Sequence, residues 1–112
     1  MTIEQPGMVV VHASFRVDPA FDDEYVSRAR ENTDRCLGHE GCLKYGYSRD
    51  LFDPTVTYAY QEWTSEEMLA QHAANPDHVG RTRDIERFLA EGRMSRSRVR
   101  FYTASKVVDP LQ

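Results

Sequence analysis

Apolar and polar residues alternate along four segments of the chain, and an alternation with a period of two predicts β-strands. The first segment, MVVVHASFRV at residues 8–17, has one row of five apolar side chains: Val9, Val11, Ala13, Phe15 and Val17. The segments CLKYGYSRD at 42–50 and VTYAYQEW at 56–63 alternate in the same way, and the turn-forming residues 52–55 between them predict a hairpin. A last strand is predicted for residues 98–105.

Apolar residues three or four positions apart predict a helix after the first strand, from about residue 19 to 37. Asp18 can cap this helix, Pro19 suits its first position, and Gly38 follows its end. The apolar side consists of Phe21, Tyr25, Ala29 and either Cys36 or Leu37. The helix therefore has one face that can pack against a sheet.

A second helical region follows the third strand. Thr64 and Glu67 form a capping-box pattern at its start. The residues on its inward side are Met68, Leu69 and His72. Asn75-Pro76 interrupts this helix, and a further helix is predicted from about residue 77 to 91.

The resulting order βαββαβ predicts a ferredoxin-like α+β fold, in which an antiparallel four-stranded sheet carries both helices on one face. The length of 112 residues suits a single domain, with a core from about residue 8 to 105. Both rows of the first three strands carry apolar or aromatic residues, so the helix-free face is also predicted to be covered. A second copy of the chain is the simplest cover, and we therefore expect a homodimer that forms a dimeric α+β barrel.

The composition, 40% hydrophobic and 29% charged, is typical of a folded soluble protein. The net charge of -4 argues against nucleic acid as a partner. Four arginines at positions 93, 96, 98 and 100 form a basic segment that is either a solvated edge strand or a clamp for an anionic group. We see no secretory signal and no apolar run long enough for a membrane span, and expect a cytoplasmic protein without a membrane partner.

The sequence contains no motif for a common cofactor: neither GxGxxG, nor a P-loop, nor HExxH. Cys36 and Cys42 flank a Gly-His-Glu-Gly loop, and their spacing matches neither a CxxC redox pair nor a complete zinc site. We interpret both as reduced thiols and predict no metal site.

Three local patterns, in this order, resemble the antibiotic biosynthesis monooxygenase family: HEGCLKYGYSRD at 39–50, YAYQEW at 58–63 and SEEMLAQHAANPDHV at 65–79. The resemblance extends from about residue 9 to 103. It implies the fold predicted above and the oxidation of a small or polycyclic aromatic phenol or quinol, often in polyketide metabolism. It also implies that molecular oxygen is the co-substrate and that flavin, haem and metal are not required. Such chemistry has a physical basis, because a deprotonated, electron-rich phenol can itself reduce dioxygen.

Two residues are the expected catalytic centre. Trp63 matches the family's pocket tryptophan, and its indole can stack on a substrate ring and donate one hydrogen bond. His72 lies on the inward side of its helix, where burial would keep the imidazole neutral and suited to act as a general base. The alternative is that both are ordinary core residues.

Five further side chains are expected to bind the substrate: His78, Tyr45, Tyr47, Tyr58 and Tyr60. The tyrosines can hydrogen-bond a substrate carbonyl while their rings line the pocket. Aromatic residues in strands usually belong to the core or to an interface, however, and the alternation does not decide which sheet face carries the pocket.

Two positions depart from the patterns of the family. Ala59 stands four residues before Trp63, where some members have an asparagine that polarises a substrate carbonyl or holds dioxygen. Thr82 stands where the haem-degrading branch has its ligand histidine, which argues against haem degradation. Two other functions stay open: a polyketide cyclase or isomerase that uses the same histidine without oxygen, and a non-catalytic dimeric ligand-binding protein.

Overall fold

The computed structural model describes residues 2–3, 7–104 and 107–108. Its strands are β1 Thr2–Ile3, β2 Met8–Val17, β3 Cys42–Arg49, β4 Val56–Trp63, β5 Met94–Ala104 and β6 Val107–Val108. Its helices are α1 Asp22–Leu37, which follows a 3-10 turn at Pro19–Phe21, α2 Glu66–Ala74 and α3 Pro76–Ala90. In these residues, none of the helices combines the length and the apolarity needed to cross a bilayer.

The main sheet has the strand order β3-β4-β2-β5, and all of its neighbours are antiparallel. The short strands β1 and β6 form a separate antiparallel pair. The helices cover one face of the main sheet, and β4 lies between β2 and β3, which are joined through α1. This is the split βαβ arrangement, and it confirms the predicted ferredoxin-like α+β fold.

The core lies between the sheet and the helices and has two parts. One part packs Phe15 and Val17 of β2 against Phe21, Tyr25 and Phe88, and the rings of Phe21 and Phe88 lie 4.7 Å apart. The other part surrounds Trp63 and includes Val9, Val11, Cys36 and Tyr45. The five apolar residues predicted to share one face of β2 are all buried, and each large side chain of this kind contributes about 1.5 to 3 kcal/mol.

The predicted cap of the second helix is wrong by one residue. Ser65, not Thr64, is the N-cap of α2, and its hydroxyl accepts a hydrogen bond from the backbone N–H of Met68 at 3.2 Å. The backbone of Ser65 is extended, as an N-cap requires. The backbone N–H of Thr64 instead donates to the carbonyl of Gly41 at 2.9 Å and joins the helix start to the loop before β3.

Strand β5 begins at Met94, four residues earlier than predicted. Met94 is buried and pairs with Val17, and an irregularity between Ser14 and Phe15 absorbs the change of register. The four arginines of the basic segment are exposed, and Arg93 pairs with carboxylates of Glu91 and Glu24. This agrees with the interpretation as a connector and a solvated edge strand.

A bulge at the start of β3 changes which side chains face the helices. Cys42 pairs with Trp63 while Lys44 pairs with Glu62, so Leu43 is an extra residue between two consecutive pairs. Leu43 is consequently exposed, although the alternation placed it in one row with two buried or half-buried tyrosines. The bulge brings Cys42 against the core in its place.

Gly41 brings the loop before β3 into direct contact with α2. Its φ is +82°, a conformation that other residues rarely adopt. A Cβ at this position would lie 2.4 Å from the Cβ of Met68, closer than two side-chain carbons can approach. The glycine is therefore required both by the turn and by the neighbouring helix.

We predict that Gly41→Ala lowers the free energy of unfolding by about 3 kcal/mol, because left-handed strain and overpacking against Met68 add. Urea unfolding at fixed protein concentration measures the loss. The matched control is Gly92→Ala, since Gly92 has a φ of +73° but open space around its Cβ position. Gly92→Ala should therefore lose only the part of the unfolding free energy that is due to backbone strain, about 1 to 2 kcal/mol. Equal losses for the two variants would contradict a close approach of the loop to the helix.

Candidate functional site

Trp63, the last residue of β4, lies completely buried beneath α2. Its indole N–H donates to the side-chain oxygen of Gln61 at 2.9 Å. The ring of His72, from α2, lies 4.4 Å from the indole and is tilted by 32°. The two residues predicted to form the catalytic centre are therefore in direct contact.

Three histidines from three segments meet at this point. The ring of His78, near the start of α3, lies 3.9 Å from the ring of His72. Nδ1 of His39, in the loop after α1, lies 2.7 Å from Nδ1 of His72. Nε2 of His39 lies 3.0 Å from the carboxylate of Asp77. Asn75 and Pro76 end α2 and begin α3, and the sharp bend at these residues directs both helices toward the same place.

The two inner imidazoles are neutral at physiological pH. Burial lowers the pKa of His72 to about 3, and the neighbouring His78 and His39 add to this effect. Burial likewise lowers the pKa of His78 to about 4, with a further contribution from Arg35. A neutral imidazole has one nitrogen lone pair, so His72 can accept a proton.

Asn32 of α1 connects two of the predicted substrate-binding tyrosines. Its amide nitrogen donates to the phenol oxygens of Tyr45, at 2.9 Å, and Tyr47, at 2.7 Å. Its amide oxygen accepts hydrogen bonds from Arg35 and from the thiol of Cys36. Burial raises the pKa of Tyr45 far above its usual value, so this phenol remains neutral. The rings of Tyr45 and His72 lie 6.1 Å apart, which places the phenol pair beside the histidines.

A cavity of ≈ 270 Å³ lies between the sheet and helices α2 and α3. Its lining includes polar groups from both layers, namely Asn32, Tyr45, Tyr47, His72, His78 and Arg81. A more open groove of ≈ 570 Å³ runs between α1 and the edge of β3, and its lining contains no histidine. We assign the candidate site to the smaller cavity, because two neutral histidines and several hydrogen-bonding groups converge on it.

Arg81 of α3 carries a buried positive charge beside the cavity. Only 7% of the residue is exposed, and its Nε has no hydrogen-bond partner among the described residues. Within that part of the chain, no carboxylate lies within ion-pair distance of its guanidinium. A buried cation is costly unless it is compensated, so this position favours an anionic group in the cavity.

The other two predicted tyrosines lie on the opposite face of the sheet. Successive residues of β4 face opposite sides, so Ala59 and Trp63 face the helices while Tyr58 and Tyr60 face away from them. The phenol of Tyr58 donates to Asp50, and that of Tyr60 donates to Glu62. The structure thus brings His72, His78, Tyr45 and Tyr47 to the cavity, but not Tyr58 and Tyr60. Trp63 lies behind His72 and outside the lining, with its N–H bonded to Gln61, so it is not placed to stack on a substrate ring as predicted.

Among the described residues, one group of three side chains has potential metal-binding atoms close together. It consists of Cys36, His39 and His72, whose donor atoms lie within 4.8 Å of one another. In a tetrahedral zinc site with bonds of about 2.0 to 2.1 Å, two ligand nitrogens lie roughly 3.3 Å apart. The Nδ1 atoms of the two histidines are only 2.7 Å apart and share a hydrogen bond. This spacing fits a hydrogen bond between the two rings better than a zinc ion shared by them.

Three residues of the site were not predicted from the sequence: Asn32, His39 and Arg81. Asn32 and Arg81 were detectable in principle, because each is a polar residue at a position where the helical spacing calls for an apolar one. His39 gave no such signal, because its position depends on the close contact between its loop and α2. Glu62, the neighbour of Trp63 in the sequence, accepts a hydrogen bond from Tyr60.

The family model described as antibiotic biosynthesis monooxygenase matches residues 8–80 of the chain. This range contains the hairpin, the histidine cluster and all of α2. No curated protein matches the chain.

Several solved structures share the fold. A putative antibiotic biosynthesis monooxygenase from Deinococcus radiodurans has a TM-score of 0.79 at 19% identity, covering 93% of this chain and 99% of that one. SnoaB from Streptomyces nogalater, a cofactor-independent oxygenase solved as an asparagine-to-alanine variant, has a TM-score of 0.73 at 15% identity, covering 87% and 92%. A conserved protein from Methanosarcina mazei Go1 has a TM-score of 0.71 at 22% identity, covering 88% and 94%. At such identities the likeness establishes the fold.

We predict that lowering the pH from 7 to 5 reduces the free energy of unfolding by about 2 kcal/mol through His72. Its pKa is about 3 in the folded protein and about 6.5 in the unfolded chain. Below pH 6.5 the unfolded state therefore binds a proton that the folded state does not, and stability falls until about pH 3. Urea unfolding at both pH values tests this. His72→Gln should show a smaller loss, whereas the exposed His12→Gln should keep it; equal pH dependence in both variants would contradict the assignment.

Proposed function

The chain belongs to the antibiotic biosynthesis monooxygenase family, and on this basis we propose that it is a cofactor-independent monooxygenase. Its substrate is a small aromatic phenol or quinol, in polyketide or other secondary metabolism. A cavity of ≈ 270 Å³ is near the lower end of ordinary ligand sites, which span about 300 to 1,000 Å³. This size favours a substrate of few rings over a large polycycle.

The neutral imidazole of His72, which lines this cavity and rests on the buried ring of Trp63, is the observation that carries the proposal. His72 is a neutral base in a buried position, and proton removal is the step that makes a phenol reactive toward dioxygen. The surrounding aromatic rings limit the access of water to the substrate anion. In this proposal flavin, haem and metal are not needed, because the substrate anion is itself the reductant.

The reaction balances with dioxygen as the only co-substrate. His72 takes a proton from the substrate, and the anion passes one electron to dioxygen, which gives a substrate radical and superoxide. The two combine through a new carbon–oxygen bond, and the peroxide formed takes up the proton. In a phenol whose keto tautomer has a ring methylene, the oxygen–oxygen bond then breaks with loss of water, so that this methylene becomes a carbonyl and one oxygen atom is retained.

Arg81 and the tyrosine pair supply the remaining electrostatic requirements. The guanidinium of Arg81 compensates the negative charge that develops on the substrate oxygen and relieves its own unpaired state. Asn32 donates to the oxygens of Tyr45 and Tyr47, and a hydrogen bond joins the two phenols, so the pair has one hydroxyl proton left for an acceptor in the cavity. These groups suit a phenol or quinol whose oxygen gains charge during the reaction.

Proton removal by His72 does not itself require oxygen. The same site therefore also suits a second candidate function. A cyclase or isomerase would use the same base to enolise a polyketide. The two reactions differ in product mass, since oxygenation adds oxygen while a dehydrative cyclisation loses water.

We predict that the purified, colourless, chelator-treated protein consumes oxygen faster than the spontaneous rate with a panel of anthrone-like and quinol substrates. His72→Gln should lower kcat by at least about 100-fold, because it removes the general base. An oxygen electrode gives the rate, and mass spectrometry gives the product.

The histidine control is His12→Gln, on the opposite sheet face, which should retain full activity. Product formation under anaerobic conditions would exclude the oxygenase and leave the cyclase. An oxygen uptake that persists in His72→Gln would remove this residue from the proposed role.

We also propose a homodimer in which the helix-free sheet face is covered by a second copy. Tyr102 of β5 is 49% exposed and pairs with Val10 of β2, so it belongs to the same face as Tyr58 and Tyr60. Tyrosines grouped on a sheet face that no helix covers are typical of an interface.

We predict that light scattering with size exclusion gives twice the chain mass of 12.9 kDa. Tyr102→Asp should shift the protein toward the monomer, because it places a charge on the covered face. Phe52→Asp is the control, since Phe52 is 95% exposed in the turn before β4. A monomeric wild-type protein would refute the dimer.

A further inference from the structure

The proposed reaction assigns no role to His39 or to Asp77, the carboxylate that His39 contacts. They continue from His72 toward the surface through contacts of 2.7 Å between the two Nδ1 atoms and 3.0 Å between Nε2 and the carboxylate. The side chain of His39 is 10% exposed and that of Asp77 is 46% exposed. A chain of three titratable groups therefore connects the buried imidazole with solvent.

The positions of the protons in this chain follow from its geometry. The hydrogen bond from His39 lowers the pKa of Asp77, so the carboxylate is ionised and can only accept. Neutral His39 consequently has its proton on Nε2 and a lone pair on Nδ1. Two lone pairs cannot face each other at 2.7 Å, so the proton between the rings belongs to Nδ1 of His72. The lone pair of His72 is then on Nε2.

We propose that Asp77, His39 and His72 form a proton relay, in which His72 accepts a proton at Nε2 and passes its Nδ1 proton to Nδ1 of His39. The relay rests on the proposed function only for the donor of the first proton, which is the substrate. Asp77 is a positioning residue, because it orients His39 and stabilises the imidazolium that forms.

Every proton in this transfer is accounted for. The substrate loses one proton and becomes an anion, and His72 ends neutral with its proton on Nε2 in place of Nδ1. His39 gains one proton and becomes an imidazolium paired with the Asp77 carboxylate. The reverse transfer returns a proton from Nε2 of His72 to the peroxide, so the relay is reset at the end of the reaction.

The relay removes the positive charge from a position that disfavours it. The charged and titratable groups facing the two rings are Arg35 and Cys36 from α1, Tyr45 from β3, and Asp77 and His78 from α3. Burial and the nearby cations hold the pKa of His72 at about 3, so an imidazolium there would return its proton at once. On His39 the same charge lies beside a carboxylate and near water.

The arrangement also predicts a change that needs no substrate. When His39 takes a proton from solvent, both of its nitrogens carry hydrogen, and two N–H groups cannot face each other at 2.7 Å. His72 must therefore move its own proton from Nδ1 to Nε2. Protonation of one histidine switches the tautomer of the other.

Long-range proton–nitrogen NMR of the uniformly labelled full chain tests this prediction directly. At about pH 8 we expect the proton on Nε2 in His39 and on Nδ1 in His72. On acidification His39 should become doubly protonated while His72 remains neutral and changes to the Nε2 tautomer in the same pH range. An Nε2 tautomer of His72 at pH 8, or no switch at the pH where His39 titrates, would overturn the relay whether or not any substrate is oxidised.

Variants separate positioning from proton transfer. Asp77→Asn should allow the opposite tautomers, with the proton on Nδ1 of His39 and on Nε2 of His72, to appear at about pH 8, because an amide can donate to Nε2 of His39 as well as accept from it. The control is Asp84→Asn on the same helix, whose carboxylate pairs with Arg28 and which should leave both tautomers unchanged. Arg28 retains Glu24 as a partner in that variant. The same tautomers at about pH 8 in both variants would overturn the role of Asp77.

The final test is steady-state kinetics with a substrate that the protein is found to oxidise. His39→Asn retains an amide oxygen that can accept the Nδ1 proton of His72 as a hydrogen bond, but it cannot take up that proton. We expect kcat to fall at least about 10-fold in both His39→Asn and His39→Ala, with little change in KM, since His39 does not contact the substrate. A kcat retained in His39→Asn would reduce His39 to a positioning residue and overturn the transfer step.

Discussion

The complete burial of Trp63 between the end of β4 and helix α2 determines the positions of the other side chains in the candidate site. The indole fills the space beneath α2, and its face supports the ring of His72 at 4.4 Å. The helix can lie this close to the sheet only because Gly41 has no side chain where Met68 passes. The same close contact brings the loop that contains His39 within hydrogen-bond distance of His72.

The site contains polar and charged groups whose burial in an apolar interior costs free energy. Local hydrogen bonds, or loss of the charge, offset this cost for most of them. Asn32 bonds to two phenols, an arginine and a thiol, so its polar atoms are satisfied although it is 1% exposed. The inner histidines are neutral because charge is disfavoured there. Arg81 is the exception, with a buried charge that the described protein groups do not neutralise. An uncompensated charge beside a cavity is typical of functional sites.

The sequence allowed the fold to be predicted well, because its hydrophobic periodicities are undisturbed over most of the chain. The strand of residues 8–17 and the hairpin strands lie where the alternation predicts them, and His72 faces inward as its helical spacing indicates. The errors fall where one local contact outweighs periodicity, as at the Leu43 bulge and the Ser65 cap. Tyr58 and Tyr60 could not be separated from Tyr45 and Tyr47 by sequence, since which row of a strand faces the helices depends on packing. The role of His39 depends on tertiary contact alone.

Strand β4 presents Ala59, Gln61 and Trp63 to the helices and Tyr58, Tyr60 and Glu62 to the other side. The two rows of side chains belong to one backbone but contact different surroundings. Substitutions in one row can therefore accumulate during evolution with little effect on the packing of the other. An insertion or deletion of a single residue within the strand is different, since it exchanges the two rows over the rest of the strand. Descendants of this gene can therefore change the specificity of the cavity and the outer surface of the sheet independently, while the length of β4 is constrained to remain constant.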